Sequence, residues 1–393
     1  MQTGKNVAIA FPLAVPHLAL FMRGVTDYAR ANASWTFTVS PTIVGPFPET
    51  LAMPLRCLRD WPGDGVIGVI TNDQDAEDAA NLRIPVVNLA AATRVSRQPR
   101  VTVDHRAIGQ MAAEHLLDCG LRRFVYLGIK DVWYSELRRD GFAERIAEAG
   151  GLLQVYETPL RNNPNSSWQS GLEEIRHCLE NIFPPVGIFA VHDYRARLLV
   201  DECFRMGFAV PNDVAILGVD NDEIVCEFCQ PSLSSVSRNG YQVGYEAAAL
   251  LDRLMDGQKP PNHDLWIPPD GVVKRESTDL IAVHDPHVAT AVRFIQDHIE
   301  EPFGVEKLLQ LLPVSRRRFE NLFKEYLGRT PYEYLCHVRV KRAKEILAGT
   351  EHLGIGEVAR RSGFPNSQRF RLVFTRLVGK TPTAYRRDLP PTR

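Results

Sequence analysis

The sequence predicts two facing α/β lobes followed by an all-α domain that carries two helix-turn-helix motifs. Three observations lead there. Over the first 280 residues, short apolar runs alternate with helix-length amphipathic segments. After "VKRESTDLIAVHDP" (273–286) the strand signal stops and only helical patterns follow. Within those, one design of short helix, tight turn and longer helix occurs twice, roughly 50 residues apart.

The strand candidates are "NVAIAF" (6–11), "WTFTV" (35–39), "GVIGVI" (65–70), "PVVNLA" (85–90), "RFVYLGI" (123–129), "VGIFAV" (186–191) and "VAILGV" (214–219). Amphipathic helices such as 109–120 and 195–207 separate them. Strands alternating with helices imply βαβ units and a parallel sheet whose strands are buried on both faces. Seven such strands suit two open lobes better than one. Ligands of open α/β sheets bind beyond the carboxyl ends of the strands, so facing lobes would enclose that rim in a cleft. The apolar "VAIAFPLAVPHLALFM" (7–22) imitates a signal-peptide core, but Pro12, Pro16 and His17 interrupt it and no clean cleavage site follows. It reads as a strand, a turn and a helix start. No apolar run reaches the ~18 residues a bilayer requires.

At 393 residues the chain is long for a single core. Its 45% hydrophobic and 24% charged residues are those of an ordinary globular protein. The net charge of −1 hides a division: residues 285–393 hold 20 Lys+Arg against 12 Asp+Glu, leaving 26 against 35 in 1–284. A basic tail on an acidic body suggests that only the tail meets a polyanion. Seven scattered cysteines, an odd number, fit a reducing cytoplasm.

In the helical part, 305–312 and 355–361 precede the longer helices 315–327 and 366–378, and a helix over 331–348 joins the two pairs. Each longer helix runs into Gly and then Thr-Pro, at 327–331 and 378–382. Phe319, Leu322, Phe323 and Tyr326 make one apolar seam; Phe370, Val373, Phe374 and Leu377 make the other. The opposite faces carry Arg316, Arg317, Arg318, Glu320 and Asn321 in the first copy, and Ser367, Gln368, Arg369 and Arg371 in the second. An apolar seam backed by Arg, Gln and Asn is what a DNA recognition helix requires. The stretch "IGEVARRSGFPNSQRFRLVFTRLVGKTPTAYRR" resembles the signature of AraC/XylS-type transcription regulators over about 100 residues. The resemblance implies that each longer helix enters a major groove of double-stranded operator DNA. Arg317, Glu320, Asn321, Ser367, Gln368, Arg369 and Arg371 are then the base readers, and Arg316, Arg318 and Arg376 touch phosphates. Phe364 reads as turn packing. Leu372 departs from the family, which often has a polar residue there.

In the α/β part, "AILGVDNDEIVCEFC" (215–229) ends a buried run in Asp220-Asn221-Asp222-Glu223. Asp193 leaves the strand 186–191 in the same way. Carboxylates, amides and guanidinium groups at strand ends saturate the donor–acceptor pattern of vicinal hydroxyls, as in a sugar. The bland alternative for both aspartates is a helix N-cap. Asp222 and Glu223 fit the acidic first turn of the next helix. "VTVDHRAIGQMAAEHLLDCGLRRFVYLG" (101–128), "LRRDGF" (137–142) and 187–222 resemble LacI/GalR-type sensors, whose fold is the two-lobed type I periplasmic binding protein. The resemblance covers nearly all of 1–280. It places a hydroxyl-binding role on Arg138 and, with it, on His192, Asn221, Asp104 and His17. Trp133 and Tyr134 could stack on a sugar ring, although packing suits them better.

The division expected is thus a sensor at 1–280, a linker at 281–286 and a DNA-binding domain at 287–389, with a short disordered tail. The two families in this order, with "PNDVAILGVDNDE" (211–223), imply a cytoplasmic homodimer that answers D-xylose by activating genes for its catabolism, with RNA polymerase as a further partner. Three rivals stay open: a sugar-processing, redox or metal enzyme, a regulator answering another pentose, and a regulator whose α/β part only dimerises. Against catalysis, the chain has no phosphate-binding loop, dinucleotide fingerprint, G-x-S-x-G or H-E-x-x-H. Cys226 and Cys229 lack the further ligands that zinc needs. No metal and no cofactor are expected.

Overall fold

A computed structural model describes residues 4–39, 53–159, 168–279, 285–327, 329–349 and 353–387. The chain divides into two compact units, 1–117 with 122–280, and 118–121 with 281–393.

The first unit opens with β1 (Lys5–Ala10), α1 (Pro16–Asn32), β2 (Trp35–Thr38), β3 (Gly65–Gly68), α2 (Asp73–Ala80) and β4 (Val86–Asn88). These strands form a parallel sheet in the order β2-β1-β3-β4. A short strand β5 (Val101–Val103) leads into α3 (His105–Asp118), β6 (Arg123–Ile129), α4 (Trp133–Glu148), β7 (Leu152–Thr158), α5 (Trp168–Glu180), β8 (Val186–Ala190), α6 (Asp193–Met206), β9 (Val214–Val219), α7 (Glu223–Phe228) and β10 (Ser234–Ser237). Then α8 (Gly240–Met255) and β11 (Leu265–Ile267) precede β12 (Gly271–Val273). The second sheet runs β12-β10-β9-β8-β6-β7, parallel except for β12.

Close helix crossings assign the remaining elements to their lobes. A Cβ on Gly24 of α1 would stand 2.0 Å from Tyr241 O, and one on Gly244 of α8 2.0 Å from Phe21 O. α8 therefore returns to the first lobe, in contact at backbone distance. A Cβ on Gly109 of α3 would stand 2.1 Å from Arg138 O, which binds α3 to α4 in the second lobe. The chain crosses between the lobes around 103–105, 237–240 and 267–271, and β5 and β11 pair beside two of these crossings.

The sequence reading missed β5, β7, β10, β11 and β12. β5, β11 and β12 have only three residues each. β7 is an edge strand with exposed Leu152 and Val155, so its alternation is blurred. β10 reads Ser-Ser-Val-Ser; Ser234 and Ser235 are buried but fully hydrogen-bonded, through Arg275 O and Asp193 Oδ1. Burial there rests on polar pairing that no hydropathy pattern displays.

The second unit holds α9 (Pro286–Asp297), α10 (Val305–Gln310), α11 (Arg316–Leu327), α12 (Pro331–Ala348), α13 (Ile355–Arg361), α14 (Ser367–Val378) and α15 (Pro382–Arg387). Asp285 caps α9 by accepting from His287 N and Val288 N, so this unit is helical from Pro286, inside the expected linker. Residues 281–284 and the tail after Leu389 lie outside the described residues. Two apolar cores result. α9, α10 and α11 pack against Tyr334 and Leu335 of α12, and α13 and α14 pack against Cys336, Val340, Ala343 and Leu347 further along it. Thr330 and Glu333 start α12 with a reciprocal capping box. Arg339 ties the cores together: its guanidinium donates to Glu301 O and Phe303 O and lies against the rings of Phe303 and Phe364.

Candidate functional site

Between the lobes of the first unit lies a cavity of about 320 Å³, near the lower end of the ~300–1,000 Å³ usual for small-ligand sites. Its first-lobe wall is largely apolar, with Leu18 and Phe21 from α1, Val69 beyond β3 and Leu89 to Ala92 beyond β4. The second-lobe wall is polar: His105, Tyr134, Arg138, His192, Asp220 and, from the 237–240 crossing, Arg238.

Arg138 is 1% exposed. It donates from Nη1 to Val191 O and from Nε to His105 Nδ1 at 3.3 Å, and it lies over the Tyr134 ring. The glycine three residues on explains the R-x-x-G-F spacing. A Cβ on Gly141 would stand 2.1 Å from Arg106 O, so only glycine lets α4 approach α3 closely enough to set Arg138 in place. Asp220 directly follows β9 at φ +115°, and Asn221 comes next at φ +50°. Such backbone is costly for residues with a Cβ and collects at functional sites. Asp220 Oδ1 accepts from Arg238 Nη1 at 2.9 Å. Burial opposes its charge, yet Arg238, then His17, Arg138 and His192, hold its carboxyl below the ordinary value. Arg238 Nε is buried with no hydrogen-bond partner among the described residues, a donor still to be used. Burial first, and then neighbouring arginines, push His17 and His192 down to about 4 and His105 well below its ordinary value. The three imidazoles are therefore neutral at pH 7, and the fixed charges are one carboxylate between two guanidinium groups.

Of the residues expected to hold a ligand, Arg138, Asp220, His192 and His17 line this cavity together. Asp193, Asn221 and Asp104 do not. Asp193 is wholly buried behind β9, accepting from Ser235 Oγ at 2.6 Å, Asp222 N at 2.8 Å and Cys226 Sγ at 3.5 Å. Gly218 makes room for it, since a Cβ there would meet Asp193 Oδ1 at 2.2 Å. Asp193 is thus a brace beneath the strand end that presents Asp220. Burial and the Asp220 charge push its carboxyl up to about 8. Asp104 accepts from Ala107 N at 2.9 Å at the start of α3. Asn221 donates its N–H to Ser235 Oγ. Asp222 caps α7, which begins at Glu223. Cys226 and Cys229 are buried free thiols, and no group of three or more potential metal ligands occurs among the described residues.

Trp133 packs, as expected, with its ring against Arg100 and Trp266. Tyr134 departs from expectation by lining the cavity, its hydroxyl 3.3 Å from His192 Nε2. The N–H groups of Trp133 and Tyr134 donate across the cleft to Ala92 O and Ala91 O at 3.0 and 2.9 Å, and Arg94 pairs with Glu136 at 2.7 Å. The lobes are thereby joined along this edge. Sequence reasoning missed Arg238, His105, Phe21, Thr102 and Tyr194 in the wall.

In the second unit, Phe319 and Phe323 of α11 and Phe370, Val373 and Phe374 of α14 are buried, as the apolar seams require. Arg317, Arg318 and Asn321 are exposed on α11. Glu320 is half-buried and pairs with Arg316 at 3.1 Å, while Arg316 also reaches Glu306 at 3.5 Å. On α14, Gln368, Arg369, Arg371 and Arg376 are exposed and Ser367 is half-buried at the start. Asn366 caps this helix by accepting from Arg369 N at 2.8 Å. The Arg369 guanidinium donates to Tyr332 Oη and lies over its ring. The turn before α14 requires Gly363, at φ +73°, where a Cβ would meet Ile299 O at 2.0 Å. Phe364 is buried in that turn.

Comparison with known proteins agrees with both halves. A periplasmic binding protein-like domain matches residues 113–278 and a helix-turn-helix domain matches 308–388. The xylose operon regulatory protein of Haemophilus influenzae is 30% identical over 331 residues, covering 82% of this chain and 84% of that protein. The chain belongs to the xylose operon regulatory proteins. The Escherichia coli K12 member is 29% identical over 377 residues, 93% of this chain and 92% of that one. A solved structure described as the xylose-binding transcription activator xylR superposes with a TM-score of 0.62 at 27% identity, covering all of both chains. As a member of this family, the protein is a sugar-responsive transcription regulator. No helix among the described residues is long and apolar enough to cross a membrane.

Proposed function

We propose that the inter-lobe cavity binds D-xylose and that the second unit binds operator DNA to activate genes of xylose use. The observation that carries the sugar reading is the Arg138, Asp220 and Arg238 set facing an apolar wall in about 320 Å³. A pyranose has a rim of hydroxyls and a C–H face. The carboxylate accepts from hydroxyls, the guanidinium groups donate to them, and Phe21 meets the C–H face. The volume suits a monosaccharide. The names of relatives and of the similar structure favour xylose among the pentoses.

The protein acts in the cytoplasm as a homodimer. Sugar favours the closed lobes in proportion to its preference for them over the open form, and the paired recognition helices α11 and α14 meet successive major grooves, with RNA polymerase as the downstream partner. Arg317, Asn321, Gln368, Arg369 and Arg371 read bases, with Glu320 and Ser367 beside them; Arg316, Arg318 and Arg376 contact phosphates. Calorimetric titration of the full chain with D-xylose, L-arabinose, D-ribose and D-glucose tests the sugar reading. Saturable binding of D-xylose, lost in Asp220→Ala with basal DNA affinity kept, supports it. Turnover of the sugar, or no binding by any pentose, sinks it. Arg369→Ala should weaken operator binding without changing sugar affinity.

A further inference from the structure

We propose that Leu372 is a base reader in its own right, recognising the C5-methyl group of a thymine in the major groove. The inference rests on the reading of α14 as a recognition helix and adds the chemistry of one position on it. Leu372 is 59% exposed on a helix whose core seam is already complete in Phe370, Val373 and Phe374. At 100° per residue, Leu372 and Gln368 share the centre of the face opposite that seam, with Arg371 on one flank and Arg369 and Arg376 on the other. An isobutyl group amid a polar amide and three cations is not a core residue displaced outward. It stands where a groove-facing side chain belongs.

The register of the two recognition helices supports this. Aligning Phe319 and Phe323 of α11 with Phe370 and Phe374 of α14 puts Arg317 opposite Gln368 and Asn321 opposite Leu372. Asn321 offers the amide that pairs with adenine N6 and N7. At the same place, Leu372 has no donor or acceptor, and the one apolar mark a base pair shows in the major groove is the thymine methyl. The two helices thus read different bases from one docking geometry.

The test uses the full chain and a duplex it selects from a random-sequence library in the presence of D-xylose. Each thymine is replaced in turn by deoxyuridine, which removes only the methyl group. Wild type should lose about four-fold in affinity at one thymine per α14 footprint, the worth of one buried methyl. Leu372→Ala should bind the thymine and deoxyuridine duplexes equally. Leu372→Asn, which copies α11, should move the preference at that base pair from thymine toward adenine. The proposal is overturned if Leu372→Ala keeps every wild-type thymine-to-deoxyuridine ratio, or if no thymine is methyl-sensitive. If no duplex is enriched, the DNA-binding reading falls and this proposal with it, a result distinct from an enriched duplex with methyl-insensitive thymines.

Discussion

Arg238→Met removes one guanidinium group from the cavity wall while keeping the apolar stem. The side chains of Asp220 and Arg238 are 7% and 17% exposed and 2.9 Å apart. Truncating one partner of a buried pair costs about 3–5 kcal/mol when the other charge is left alone. Asp220 would not be alone, because Arg138 still acts on it, so the loss should be about 2–3 kcal/mol. In a unit of this size that lowers the melting temperature by about 5–10 °C. A pH signature accompanies it. In the wild type the carboxyl lies below its ordinary 3.8, so its stabilisation is complete above that value and is lost as pH falls through the lower folded value. Without Arg238, burial is less opposed and the folded value rises, removing that acid-side loss. The assay is thermal melting of the full chain at pH 7 and about pH 3, on either side of the ordinary carboxyl value, following the transition of the α/β unit. Asp220→Asn with Arg238→Met should recover part of the loss, giving a coupling energy of 1 kcal/mol or more. Melting within about 1 °C of wild type, or strict additivity, would refute the claim that the pair holds the site.

Three further outcomes follow from the same geometry. Gly141→Ala forces its Cβ toward Arg106 O, so α4 shifts from α3 and Arg138 with it; xylose binding should fall at least ten-fold, and an unchanged affinity removes that glycine from the account. With His17 and His192 at about 4 and His105 also lowered, the unfolded chain takes up their protons first, so stability falls as pH drops from about 6.5 toward 4. Asp193 at about 8 has the opposite sign, taking up its proton in the folded state and losing stability as pH rises from 3.8 to about 8. Denaturant titrations should therefore show a maximum near pH 6.5 and a flattened alkaline side in Asp193→Asn; persistence of the alkaline decline would contradict the raised carboxyl. Tyr332→Phe removes the hydroxyl that accepts from Arg369 but keeps the ring. Losing one such bond, about 0.5–1.5 kcal/mol, should weaken operator affinity about two- to ten-fold, and equal affinity would leave Arg369 positioned by other means.

The strand alternation, the helical tail and the doubled seam were legible because each depends on periodicity, a property of the sequence itself. Asp193 shows where that legibility ends. It and Asp220 both follow an apolar strand, so the sequence presents them as equals. What separates them is depth: Gly218 opens space for Asp193 behind β9, while the left-handed backbone at Asp220 turns the chain toward the cavity. Neither feature leaves a local pattern. Arg238 was missed because its segment, "SSVSRNG" (234–240), has no apolar run, and its partner Asp220 is distant in sequence. Arg138 was found through resemblance to a family motif; the close α3–α4 crossing at Gly141 supplies the physical reason for its spacing.

The division of the cavity between the lobes also says what kind of molecule can close it. Hydrogen-bonding groups are concentrated on the second lobe and apolar surface on the first. A wholly polar ligand would leave Phe21, Leu18 and Val69 facing it without compensation, and a wholly apolar one would strip water from Arg138 and Arg238 for nothing. A molecule with hydroxyls on its rim and C–H groups on its face satisfies both walls, but only when both are present at once. If the ligand closes the lobes as proposed, its differential affinity for the closed form would come from the first lobe, with the polar wall available in either form. Substitutions on the apolar wall, such as Phe21→Ala, should then reduce the ligand's power to close the lobes more than its initial capture. In scattering measurements that variant should bind xylose yet compact less than wild type at saturation; full compaction would show that the polar wall drives closure.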